Sequence, residues 1–243
     1  MRSPWEAPID IPASTRERLT MPNEQLPGLE QAFGTLRQFT RSRRPSSEPL
    51  EHCELCSAGL SHEHPHMVDL TTRRIVCACD PCAILFDNPS TGKYKRVSRR
   101  VLRLADLEMT DAQWDGLLIP INMAFFFHSS LENRVMAFYP SPAGAVESLL
   151  PMQAWRDIQE SHPALRHLNP DIEALLVNRV GHAHGLSQAE YYIAPIDECY
   201  RLVGAIRMHW KGLSGGSEVW TEIARFFSDL RARAEVVGGV SHA

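Results

Sequence analysis

Two Cys-x-x-Cys pairs, Cys53-Glu-Leu-Cys56 and Cys79-Asp-Pro-Cys82, stand twenty-two residues apart and constrain this chain more than any other stretch. A tight turn that carries two thiols in this spacing aims both at one point in front of the backbone. Two such turns facing each other supply four sulfurs to one tetrahedral cage, which soft or borderline cations accept. Separate core cysteines or a pair of disulfides would not call for this repeated spacing. The segment between the pairs reads as a hairpin, with His66-Met-Val-Asp-Leu70 and Arg73-Arg-Ile-Val-Cys77 as short strands joined through Thr71 and Thr72. Ala83-Ile-Leu-Phe86 reads as the first turn of a short helix stopped by Asn88-Pro89. A helix starting there would lend the partial positive charge of its N-terminus to the thiolates.

The order of knuckle, hairpin and knuckle at a helix start resembles a treble-clef or zinc-ribbon-like finger. Zinc is the expected cation, with a single iron in a rubredoxin-like site or an iron–sulfur cluster as the alternative. Cys77 lies close to the second pair, in Cys77-Ala-Cys79-Asp-Pro-Cys82. It can replace Cys79 as a ligand or point into the hairpin core; Cys79 keeps the two-residue spacing. His62, His64 and His66 stand beside the cage as competing ligands, as hydrogen-bond partners of a thiolate, or as spectators.

The chain of 243 residues is 44% hydrophobic and 22% charged, the balance of a folded protein, and its net charge of −4 predicts nothing about nucleic acid for the chain as a whole. No apolar run follows Met1-Arg-Ser-Pro-Trp5, so a signal peptide is not expected. The stretch Leu117 to Phe127 is too short and too interrupted by Pro120 and Asn122 to span a bilayer. Five of the six cysteines are clustered as thiol ligands, which suits a reducing cytoplasm. The sixth, Cys199, falls in a predicted helix as a small buried hydrophobe.

Three regions follow from the pattern. Residues 1–49, rich in proline, read as a flexible tail with one short amphipathic helix. Its stripe of Leu29, Phe33 and Leu36 is a candidate partner-binding surface, set against packing on the chain's own body. Residues 50–104 hold the four-cysteine metal module and a basic segment, Lys93 to Arg103, with six basic residues and no acid. Alternation at Val97, Val101, Leu102 and Leu104 makes that segment an edge strand with a charged wet face, and makes phosphate binding the lesser reading. Residues 105–243 read as an α+β body. Thr110 or Asp111 caps a helix through Trp114 and Leu118; Asn122–Ser129 and Arg134–Tyr139 form a hairpin; a short helix is expected around Ala145 to Leu149. Pro151 opens a helix to Ser161. Ile172–Arg179 and Tyr191–Ala194 pair as strands, Asp197 caps a helix to Lys211, and a last helix runs from Glu218 to Ala234. The fold class expected is α+β: the metal module joined to an antiparallel sheet with helices packed on one side.

Other constellations carry less. His182-Ala-His184 sits in a glycine-flanked loop, and Gly212-Leu-Ser-Gly-Gly-Ser217 suits a helix–helix turn better than an anion cradle. No GxSxG, HExxH or GxGxxG occurs, so no catalytic residue is assigned and an enzyme is not expected.

Several motifs together carry a wider resemblance: Cys53-Glu-Leu-Cys56, Cys77 to Phe86, Phe125-Phe-Phe-His-Ser-Ser130, Ala137-Phe-Tyr-Pro140, Pro195-Ile-Asp-Glu-Cys-Tyr200, Trp210-Lys-Gly212 and Gly215 to Trp220. Over about residues 50–232 the chain resembles a bacterial family known only as a domain of unknown function, associated with nickel–iron hydrogenase and hydrogenase-maturation genes. The resemblance implies a non-catalytic, metal-binding accessory or assembly protein in the cytoplasm. Its partners would be nickel–iron hydrogenase subunits or maturation factors. The alternatives are a redox protein serving the hydrogenase through an iron–thiolate or iron–sulfur site, and a nucleic-acid-binding zinc finger.

Overall fold

A strand with one wet face alternates apolar and polar residues, whereas a strand covered on both faces can be apolar throughout. Met123-Ala-Phe-Phe-Phe-His-Ser129 is of the second kind. The computed structural model describes residues 51–87, 92–181 and 188–238. In it this run is an interior strand of a seven-stranded sheet with helices on both faces.

In chain order the described elements are β1 (His66–Asp69), β2 (Ile75–Cys77), α1 (Asp80–Phe86), β3 (Tyr94–Arg96), β4 (Leu102–Leu104), α2 (Asp111–Gly116), β5 (Met123–Ser129), β6 (Arg134–Ser141) and β7 (Gly144–Ser148). There follow α3 (Met152–Ser161), a 3-10 turn (Pro163–His167), β8 (Glu173–Asn178), β9 (Glu190–Pro195), α4 (Ile196–His209), α5 (Gly216–Arg233) and β10 (Glu235–Val237). A small antiparallel sheet has the order β2-β1-β3, and the large one runs β10-β4-β9-β8-β5-β6-β7. Only the β10–β4 pairing in the large sheet is parallel.

The period-2 pleat sorts the β5 side chains. Met123, Phe125 and Phe127 face the layer made by α4 and α5, where Leu202, Ile206, Ile223 and Phe227 are buried. Ala124 and Phe126 face α2 and α3, where Trp114, Trp155 and Ile158 are buried. Phe126 stacks on Trp155 at a centroid distance of 5.1 Å and meets the edge of Trp114 at 6.5 Å. Helices therefore cover both faces, not the one side that the order of elements implies.

The remaining differences from the sequence reading have local causes. Residues 145–148 form a strand, not a helix. Their pairing Tyr139↔Val146 and Pro140↔Ala145 extends the hairpin from β6 and overrides the helical propensity of Ala and Glu. Gly144, at φ 128°, makes the turn into it. The basic segment is two strands in two sheets. β3 lies at an edge of the small sheet, while β4 is interior, between β10 and β9. Thr110 closes a capping box with Gln113 at the start of α2. Between α4 and α5, Gly215 has φ 87°, and a Cβ there would fall 2.9 Å from Val219, so this glycine-rich run is a turn built for close packing. The stripe at Leu29, Phe33 and Leu36 and the pair His182 and His184 lie outside the described residues.

All described residues belong to one unit, and the small sheet is part of it. Val68, Val97 and Val101 are buried in the same core as Phe125 and Leu202, while Met67 turns the other way into the core of the cysteine module.

Candidate metal centre

The first Cys-x-x-Cys pair is held by a backbone that doubles back on itself. Cys53 N donates to Ala58 O at 2.8 Å and Ser57 N to Cys53 O at 2.7 Å, with Ser57 in the left-handed region at φ 62°. The second pair is set by a helix that begins earlier than the sequence implies. Cys79 is the N-cap residue and Cys82 lies inside the first turn, because Pro81 is pre-set for the first helical positions. Glu54 N donates to Cys77 O at 2.9 Å, and the Glu54 carboxylate accepts from Cys77 N at 2.9 Å, so the two knuckles are stitched together.

The result is four sulfurs, from Cys53, Cys56, Cys79 and Cys82, all within 4.8 Å of one another. Cys56 and Cys79 stand at 3.6 Å. A metal–sulfur bond of about 2.3 Å in a tetrahedron requires sulfur–sulfur edges of about 3.8 Å, so the four thiols fit such an ion. Zinc and iron share that bond length, so the edges fix the geometry and leave the element open. Cys53 and Cys82 are buried, Cys79 is half-buried and Cys56 is exposed, so one edge of the cage faces solvent. Cys77 is not in this group; it lies with His64 and His66, and Cys79 takes the place beside Cys82.

The thiols influence one another strongly. Burial acts to raise the Cys53 pKa, but backbone N–H groups of Cys79, Leu55 and Cys56 directed at its sulfur outweigh it and hold the value down to about 6. Burial pushes Cys82 up, and the neighbouring sulfurs of Cys56, Cys79 and Cys53 push it further. One thiolate is thus favoured and its neighbours resist a second negative charge, a conflict that a shared cation removes.

The basic segment faces carboxylates. Lys93 lies 3.0 Å from Asp69, Lys95 3.4 Å from Asp171 and Arg96 3.7 Å from Asp80, while Arg100 grips Glu173 with two nitrogens at 3.1 and 2.8 Å. Four of its cations are therefore committed within the chain. What sequence reasoning missed is the His64, His66 and Cys77 cluster. A signal existed in His-x-His at the head of a strand, but the partner strand's register was needed to bring Cys77 opposite.

Among the described residues no helix is long and apolar enough to cross a membrane. No curated protein and no solved structure matches the chain. A family of unknown function, DUF5947, matches residues 52–234, from the first cysteine pair to the end of α5 and well over half of the sequence, and the chain belongs to that family.

Proposed function

We propose that this chain is a metal-bearing accessory protein that holds Zn²⁺ in the cage of Cys53, Cys56, Cys79 and Cys82 and docks onto a nickel–iron hydrogenase or its maturation partners. The mutual reach of the four sulfurs carries the metal half of this reading. Two thiol turns, the hairpin between them and the helix start make the module a treble-clef finger in our reading. Four thiolates complete the shell of zinc and leave no position for water, so the ion folds the module and does not react. The module's own core supports this. Its buried members are Cys53, Leu60, Met67, Ala78, Cys82 and Ala83, two of them the proposed ligands, a small core that a cation would strengthen.

The partner half rests on the resemblance to proteins of hydrogenase gene clusters. A surface feature agrees with it: Ile84 and Leu85 on α1, next to the cage, leave 71% and 72% of their areas exposed, a pair that a protein partner would cover. The test is elemental mass spectrometry and a visible spectrum of the purified full-length protein, then copurification from cells that make a nickel–iron hydrogenase. The expected result is a colourless zinc protein that recovers hydrogenase subunits or maturation factors. A red or brown iron protein would turn the reading to electron transfer. A zinc protein that recovers none of those components would sink the partner half.

A further inference from the structure

We propose that His64, His66 and Cys77 form a second metal site, separate from the cysteine cage, that takes an exchangeable cation of the Zn²⁺ class. One ring nitrogen of each histidine and the Cys77 sulfur lie within 4.8 Å of one another.

Strand pairing assembles the cluster. His66 is paired in register with Cys77 across the β1–β2 ladder. Ala78 N donates to Pro65 O at 3.0 Å, which makes His66 and Cys77 a non-hydrogen-bonded pair, the kind whose side chains stand closest. His64 is two residues before His66, and the two rings meet edge to face at 5.0 Å.

Hydrogen bonds then fix both rings for metal binding. His66 Nδ1 lies 2.6 Å from Asp197 Oδ2, and His64 Nδ1 lies 2.9 Å from the Ser61 carbonyl oxygen. A carbonyl or carboxylate oxygen only accepts, so each Nδ1 carries a proton, and in the neutral ring Nε2 is left with its lone pair. Metal-ligating histidines almost always have this outer partner, which orients the ring and makes the free nitrogen more basic. His64 adds an independent sign. Its side chain is only 6% exposed, yet its Nε2 is buried with no hydrogen-bond partner. Glu51 Oε2 stands 3.5 Å from that atom, too far for a hydrogen bond and close enough to approach a bound ion.

Binding is balanced as follows. Cys77 gives its thiol proton to solvent and binds as thiolate, and both imidazoles bind neutral through Nε2. Three protein ligands leave one position for water or Glu51, which makes this ion more exchangeable than one in a four-thiolate cage. Two nitrogens and one sulfur select Zn²⁺ or Co²⁺ over Mg²⁺ or Ca²⁺. Asp197 belongs to α4, so the site also ties the finger to the body.

The experiment titrates full-length protein with Zn²⁺, and separately with Co²⁺, against a competing chelator. The unchanged protein is expected to take two equivalents. His66→Gln and Cys77→Ser should each take one and keep the four-sulfur cobalt spectrum of the cage. Cys77→Ser preserves both rings and their hydrogen bonds, which guards against a folding defect in the histidine variant. Asp197→Ala should weaken the second equivalent about 10- to 100-fold and leave the first alone. A single equivalent in the unchanged protein, or a second equivalent indifferent to His66→Gln and Cys77→Ser, would overturn the proposal. Failure of the cage reads out elsewhere, as a four-sulfur spectrum that Cys56→Ser leaves intact or that never forms.

Discussion

Replacement of Arg100 by glutamine tests how the basic segment anchors the cysteine module to the large sheet. The Glu173 side chain, at the start of β8, has no solvent exposure. Its carboxylate accepts from Arg100 Nε at 3.1 Å, from Arg100 Nη2 at 2.8 Å and from Asn169 N at 3.1 Å. Burial acts to raise its pKa, but Arg100 and the Asn169 N–H outweigh burial and hold it below the ordinary carboxylate value. Removing one member of a buried pair costs about 3–5 kcal/mol, because the other charge is left without a partner. The Arg100 side chain is 46% exposed, so water can enter the gap. That relief brings the expected loss for Arg100→Gln to about 2–3 kcal/mol at neutral pH. With a urea slope of about 2 kcal/mol/M, the unfolding midpoint should fall by about 1–1.5 M. The pH response separates the two proteins further. In the unchanged chain the folded pKa is depressed, so this stabilisation is present above the ordinary value and lost as pH falls through the depressed one. In Arg100→Gln, burial without the guanidinium raises the Glu173 pKa, and acidification relieves an unpaired buried charge. The stability gap should therefore narrow from about pH 7 to about pH 4, while other carboxylates cancel. Adding Glu173→Gln should recover most of the loss. Urea melts of the three proteins at both pH values make the measurement. A midpoint within about 0.3 M of the unchanged protein at neutral pH, or a gap that ignores pH, would refute the argument.

Cys56→Ser should lose the cage ion and open residues 51–87 to protease, whereas Cys77→Ser should keep that ion; limited proteolysis with elemental analysis reads both. Deleting residues 1–45, or making Phe33→Ala with Leu36→Ala, should leave metal content intact and lower recovery of hydrogenase components. Equal recovery from all three proteins would show the stripe to be dispensable. Phe126→Ala should cost about 3–5 kcal/mol in chemical denaturation, since the ring is fully buried between Trp155 and Trp114.

The cysteine cluster was legible because knuckle spacing is a local property, and the structure brings those four sulfurs together. The hairpin between them and the strands β5, β6, β8 and β9 were legible from short apolar runs bounded by turns. β7 was not, since Ala145, Val146 and Glu147 suit a helix equally and only pairing with β6 decides. β10 was hidden for a related reason: Glu235 to Val237 become a strand by lying parallel to β4, a partner more than a hundred residues away. Two-sided helix cover was written in the unbroken run from Met123 to Phe127, which admits no wet face. The His64, His66 and Cys77 group depended on register and on Asp197, neither of which any local spacing reports.

The split allegiance of β1 has a thermodynamic consequence. Met67 and Val68 are adjacent, one in the core of the cysteine module and the other in the core beneath α4 and α5. A cation held only by the folded cysteine cluster, as proposed, would therefore add to the stability of the whole unit, by about 1.4 kcal/mol for each tenfold rise in free metal above its Kd. The melting temperature of the sheet and its helices would then be a gauge of metal supply. On the proposed reading, chain made during metal starvation would open first at residues 51–87 and be cleared by proteases from there.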